Sequence, residues 1–499
     1  MEPVFEKVSI RANSNVFTDE VKAECRTDIF SGSVNKILSV NAYVYPEDES
    51  VEDGKIRYGG KVIFRICYVD DEKVLRKCEC GNEFFGTILA NVSNGSTFNV
   101  NITAEKVNYD LTGSKLIVSA LILTNVSVNE YKEMQLLSDG KDFICDKKET
   151  AVINNFGVKK INYPIEEEIE LGYMVKEVLT HGTTACITSC QCGVGCVIVD
   201  GEVYLSALLL QNNENSGIIR EDKVLPFRIE VEYEESMPQM LATAKVSVKG
   251  FKTEISVDEE KGVSLVTATI NLGFRAQVFT EEQVLLTADA FSVSEELSLT
   301  KTDCAFIKPL AVKTIKERIS ERVAVNELSA DKKVVCAYGE KVEIVATSLE
   351  NGQLKVVGVV SGKAILQGEE GLQTLAIDLP FEKVLDCIIE ENNLYSVSVL
   401  PTNFTIKLIT AQELEVALDG VFTIYAEEKT LIKCVNEVNV LGEKPINEKA
   451  ISVYISTEGE SLWSLAKRLN VCPESLLETN NDLDFPLSGK ERIVVYRQK

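Results

Sequence analysis

Repetition constrains this chain most: one local pattern recurs three times, at a spacing of roughly 150 residues, before the texture changes near the C-terminus. Each copy opens with an Asx-Gly pair, Asp53-Gly54, Asp200-Gly201 and Asn351-Gly352, a dipeptide suited to the positive φ angles of a tight hairpin turn. Strand-like sequence follows at 56–60, 203–207 and 354–358. An aromatic site comes next, Phe84-Phe85, Pro226-Phe227 and Pro380-Phe381, and a β-rich stretch closes each copy at 115–120, 264–268 and 413–417. Four features in one order predict three related units.

Between these marks apolar and polar residues alternate, as in Lys245-Val246-Ser247-Val248-Lys249 and Asn403-Phe404-Thr405-Ile406-Lys407, which suits half-buried antiparallel strands. Long helical periodicity is nearly absent. A chain of 499 residues also exceeds what one core can serve. The sequence therefore predicts a mainly β protein of three tandem β-sandwich-like domains, 1–140, 141–300 and 301–448, with boundaries in polar segments such as Asp146-Lys147-Lys148-Glu149 and Gly442-Glu443-Lys444-Pro445. A small βααβ domain over 449–499 follows.

That last domain is read from a short strand, a glycine turn and a helix start in the run 454–466. Ser461 is placed to cap the helix, and Leu462, Leu465, Ala466 and Leu469 make one apolar stripe. Trp463 lies at the stripe's edge, available as an interface anchor or as a packing residue. Pro473 opens a second helix, Asn480-Asn481 stops it, and 492–496 is the last strand.

The Gly-acid-Ser-Leu-Trp run, Val471, Asn480, Pro486, Gly489 and the Ile-Val strand resemble the LysM family. Ser456 departs from the family's usual β-branched residue, and so does the acidic Asp482-Leu483-Asp484 loop. The resemblance implies a binding site between two loops, formed here by Gly459, Glu460, Ser461, Leu462, Asn480, Asn481 and Leu483, with Trp463 beside them. Three repeats with such a tail resemble the SPOCS-domain proteins of spore-forming bacteria, of the SipL-like and SpoVID-like coat morphogenetic type. That resemblance implies a scaffold of spore coat assembly on the mother-cell side of the forespore, its LysM tail binding a coat-basement morphogenetic ATPase. The rival reading is a peptidoglycan-binding protein of the wall or cortex.

Charge and motif searching narrow the alternatives. A net charge of −25 disfavours nucleic acid and anionic membrane as partners. Residues 1–15 carry no signal-peptide pattern and no apolar run is long enough to span a bilayer, so a cytoplasmic location is expected. The fourteen cysteines are scattered, which reads as reduced thiols, and self-association through the β-repeats is a further expectation. No catalytic residue, cofactor or metal is assigned. His181 reads as a loop residue in a Thr180-His181-Gly182 turn, residues 358–363 are a phosphate-loop near-miss, and the run Glu166-Glu167-Glu168 with Glu170 reads as a solvated edge. Cys186, Cys190, Cys192 and Cys196 would share one face of an extended strand, without the two-residue gaps of zinc knuckles.

Overall fold

The computed structural model describes residues 5–30, 34–47, 49–52, 54–89, 97–113, 115–141, 143–212, 217–325, 332–369, 371–391, 393–445 and 451–496. The protein is mainly β. The first unit comprises β1 (Phe5–Phe30), β2 (Lys36–Pro46), β3 (Ser50–Glu52), β4 (Lys55–Val69), β5 (Leu75–Leu89), β6 (Thr97–Thr112) and β7 (Lys115–Gly140). The second comprises β8 (Ile144–Leu171), β9 (Val175–Cys192), β10 (Cys196–Gln211), β11 (Ile218–Glu232), β12 (Leu241–Asp258) and β13 (Val263–Phe291). The third comprises β14 (Glu295–Pro309), β15 (Lys313–Ala324), β16 (Lys333–Glu350), β17 (Gln353–Gly368), β18 (Gly371–Ile388), β19 (Asn393–Thr410) and β20 (Glu413–Glu443). The tail is β21 (Ile451–Ile455), α1 (Leu462–Leu469), α2 (Pro473–Thr479) and β22 (Arg492–Tyr496).

Each unit repeats one topology. The long closing strand pairs with the opening strand, which in the third unit is split into β14 and β15, and with its own predecessor, giving β1-β7-β6, β8-β13-β12 and β14/β15-β20-β19. The middle strands form an opposing antiparallel sheet, β2-β4-β5, β9-β10-β11 and β16-β17-β18. The first part of β7 alternates strictly, Leu116, Val118, Ala120 and Ile122 turning inward onto Phe64 and Ile66 of β4. The boundary expected at 300 falls inside β14, and that at 448 lies outside the described residues. Likewise Asp146-Lys147-Lys148-Glu149 is part of β8. Charged runs here mark strands, because a ribbon two strands wide keeps much of its surface in water.

Those ribbons organise the molecule. Beyond each sandwich the opening and closing strands continue as a pair, and the three pairs meet in an apolar hub of Ile10, Leu136, Leu286, Cys304, Phe306 and Cys434. Units one and three also bond directly, Asn13 of β1 opposing Ala305 of β14. At the opposite ends of the sandwiches a second cluster draws Leu38 and Cys67 from unit one, Leu179, Leu208 and Leu210 from unit two, and Cys336, Tyr338 and Ile365 from unit three. Hydrogen bonds reinforce this plug: the Tyr338 hydroxyl donates to the Leu38 carbonyl at 2.8 Å, and the half-buried Arg220 grips Glu340 at 2.7 Å. Between plug and hub lie two cavities, of about 1050 Å³ and 690 Å³, each lined by all three units.

The repeat is a packing motif whose phase in the second unit differs from the sequence reading. Gly54 (φ 71°), Asn351 (φ 53°) and Gly352 (φ 79°) do lie in hairpin turns, while Asp53 is outside the described residues. Asp200-Gly201, however, sits within β10, and the turn before it is at 193–195. Gly201 lies opposite Phe227, in the register of Gly60 opposite Phe84 and Gly358 opposite Phe381. In each pair the ring covers the glycine, so a side chain at Gly201 would overlap Phe227 and the Cys186 carbonyl oxygen. Gly201→Ala should therefore cost about 1–3 kcal/mol by overpacking against backbone that cannot retreat. Gly262, with open space around its Cβ position, should tolerate alanine better in side-by-side urea unfolding, losing about 1 kcal/mol for its φ of 68°.

Candidate functional site

The tail folds as local chemistry dictates. Ser461 is the N-cap of α1, its hydroxyl accepting from the Ser464 amide at 3.2 Å, and Asn470 closes the helix in the left-handed conformation at φ 55°. Pro473 occupies the first turn of α2. Leu465, Ala466, Leu469, Val471 and Leu476 pack onto Ile493 and Val495 of β22. Asn480, a predicted contact residue, is committed inside the unit: its side chain donates to the carbonyls of Leu476 and Val494 and accepts from the Val494 amide at 2.7 Å.

The two predicted binding loops are stitched together. Gly459 N donates to the Leu487 carbonyl at 2.8 Å, and Leu487 N returns a bond to the Glu460 carbonyl at 3.0 Å. Glu460 is held by Arg468 at 2.7 Å and by Thr457; burial opposes its charge, but these donors prevail and keep the carboxyl below its ordinary range. Ser456 is explained by the same stitching, since its buried hydroxyl bonds the Glu491 carboxylate. Gly459, Ser461 and Asn481 are exposed, while Leu462 and Leu483 are half-buried against the tail core.

Trp463 faces inward, toward the repeats. Its ring packs edge-on against Phe291 with centroids 5.2 Å apart, and its Nε1 donates to Asp289 Oδ2 at 3.0 Å. Asp289 also accepts from Lys467 at 2.6 Å and from Lys301 at 2.9 Å. Burial alone would raise this carboxyl, yet the donors Lys467, Trp463 and Lys301 bring it down to about 2. Asn470 adds a bond to the Val293 carbonyl at 2.6 Å, and Lys444 bridges Asn470 to the Ser292 carbonyl. The sequence left Trp463 available to an outside partner; the fold uses it to dock the tail on the hub end of unit two.

What docking leaves bare is the outer face of the tail's sheet. Ile451, Val453, Ile455 and Tyr496 are 57%, 60%, 55% and 57% exposed, with Ile451 opposite Tyr496 and Val453 opposite Val494. Alternation in Ile-Ser-Val-Tyr-Ile would turn the three aliphatic residues inward. The helices cover the other face, so Tyr454 takes the core side opposite Ile493.

The remaining candidates resolve into structure. His181 lies in β9, 9% exposed, edge-on to Phe251 at 4.5 Å; burial first, then Arg65 and Lys77, push its pKa down to about 3, so it is a neutral core group rather than a loop residue. Residues 358–363 are straight β17, Gly362 lying under Phe404. Glu166-Glu167-Glu168 and Glu170 lie in β8, opposite Thr269, Ala268, Thr267 and Leu265. The four cysteines do not share a face: a bulge in β9 sets Cys186 opposite Glu202 and Cys190 opposite Val199, so Cys186 packs with Tyr204 and Val421 while Cys192 enters the unit core. Among the described residues no three His, Cys, Asp or Glu side chains converge as a metal site would require, and no helix is long and apolar enough to cross a membrane. No family model matches the chain, and neither a curated protein nor a solved structure does.

The dock predicts a pH response. Asp289 has a depressed pKa when folded, so its contribution is complete above the ordinary carboxylate range near 4 and is lost as pH falls toward 2. Trp463 is the single tryptophan, so its emission should shift red and become quenchable by acrylamide over that window. Asp289→Asn should produce part of the shift at pH 7. A wild-type spectrum unchanged from pH 5 to about 1.5 would show that Asp289 does not hold the dock.

Proposed function

We propose that the chain is a non-catalytic scaffold of spore-envelope assembly, whose LysM-like tail recruits a protein partner, a coat-basement morphogenetic ATPase at the forespore surface. The observation that carries recognition by the tail is the bare apolar sheet face, four large side chains more than half exposed on a unit otherwise committed to its dock. The three fused β units supply a broad platform that holds this face away from the plug. The stitched loops favour protein over glycan, because Glu460 and Asn480, two of the polar groups a sugar would need, already bond within the chain.

The test is co-purification of the ATPase from sporulating cells with wild type, a chain ending at 448, and Val453→Glu. Truncation should abolish capture, and the charge that Val453→Glu places on the apolar face should weaken it about tenfold or more while leaving Trp463 emission unchanged. Full capture by the truncated chain would move recognition to the repeats. Tight sedimentation of the full chain with purified peptidoglycan, lost on truncation, would instead favour a wall-binding protein.

A further inference from the structure

The middle sheets of the three units end on equivalent strands, β5, β11 and β18, whose outer edges pair with no further strand among the described residues. Aligned on the glycine-facing Phe84, Phe227 and Phe381, the two later units guard that edge. Pro226 and Pro380 precede the phenylalanine, and the exposed positions after it are Arg228, Glu230 and Glu232 in β11 and Glu382, Val384 and Asp386 in β18. Proline and charge keep an open strand from joining another. Unit one is different: it has no proline there, and Phe85, Thr87 and Leu89 take the outward positions, Phe85 being 70% and Leu89 73% exposed.

The prolines also give the direction of the backbone. A strand tolerates proline where the missing N–H would face away from its neighbour. At the aligned residue, Glu83, and at every second residue after it, Phe85, Thr87 and Leu89, the N–H and C=O therefore face the open edge. The Glu83 amide donates to the Asn82 side chain at 3.0 Å, in keeping with that direction. Toward the plug the same strand is occupied, Lys77 bonding the Val178 carbonyl at 2.8 Å and Glu177 at 3.3 Å, so the open stretch is 83–89.

We propose that this stretch of β5 is a self-association edge, pairing antiparallel with β5 of a second copy of the chain across a two-fold axis at Gly86. In that register Phe85 faces Thr87 of the copy, an aromatic beside a β-branched residue, and their edge-facing N–H and C=O groups bond to each other. On its other side the Phe85 ring lies over Gly59, where a Cβ would come within 2.6 Å of it. Leu89 faces Glu83 of the copy, and Lys55 lies beyond Leu89 in the same row. Two strand spacings, about 9–10 Å, separate Lys55 from that glutamate, a span their side chains can close. Both are exposed, and neither has an ion pair among the described residues. Each charge thus meets its opposite in the symmetric pair, which favours a second copy over a foreign strand. An edge this short buries little area, so the dimer is micromolar rather than nanomolar. This edge belongs to unit one and does not depend on what the tail recruits.

The test is sedimentation velocity on the full chain over a micromolar concentration series, at physiological salt so that the net charge of −25 is screened. The expected result is a reversible monomer–dimer equilibrium, with amide exchange of residues 83–89 slowing as concentration rises. Phe85→Arg combined with Leu89→Glu, the residue types that unit two carries at these positions, should weaken dimerisation about tenfold or more with the far-ultraviolet spectrum and melting midpoint unchanged. Glu83→Pro removes an edge-facing N–H and the charge opposite Leu89. It copies a residue that both other units accept, and so gives an independent check if the double variant does not fold. Val453→Glu, on the tail, should dimerise as wild type does. A wild type that stays monomeric throughout, or a dimer that a folded edge variant retains at wild-type strength, would overturn the self-association edge. A monomeric chain whose 83–89 amides are protected only in cell extract would give the edge to a foreign strand and overturn it likewise.

Discussion

The convergence of three two-stranded ribbons on one apolar hub is the contact on which the rest of the molecule depends. Each ribbon carries hydrophobic side chains beyond its own sandwich, and Leu136, Leu286 and Cys434 are buried in one cluster to which all three units contribute. Each such side chain contributes roughly 1.5–3 kcal/mol when withdrawn from water. The result is one body in which the sandwiches lie side by side. Cavities, plug and tail dock all follow from that arrangement.

Within each sandwich the recurrent device is a glycine facing a phenylalanine across the sheet. A bare glycine weakens a central strand, because it packs nothing and gives up more backbone freedom than other residues. The covering ring restores the lost contact and requires the absence of a Cβ, so the two residues specify each other. This pairing, more than any turn sequence, is what the three units share.

Polar groups sit where the apolar contacts leave gaps. Asp289 joins Trp463 and Lys467 of the tail to Lys301 of unit three, so one carboxylate ties together three parts of the chain. The tail is thereby oriented, its stripe edge turned toward the repeats and its sheet face turned outward.

Much was legible in the sequence because it is set locally. Alternation with period two fixes strand, Ser461 and Asn470 bound a helix through bonds to their own neighbours, and Pro473 suits a first turn wherever it occurs. The mainly β character, the threefold repetition and the βααβ order of the tail were determined at that level. The phase of the second repeat was not, because Gly201 takes its meaning from Phe227 on the next strand rather than from Asp200 beside it. A bulge, invisible in the alternation, separated Cys186 from the other cysteines. Tertiary structure alone gave Trp463 its partner, since Asp289 lies 174 residues away in sequence. Hydrogen-bonding capacity is written in residue types, but which groups are brought within 3 Å of one another is decided by packing between distant parts of the chain.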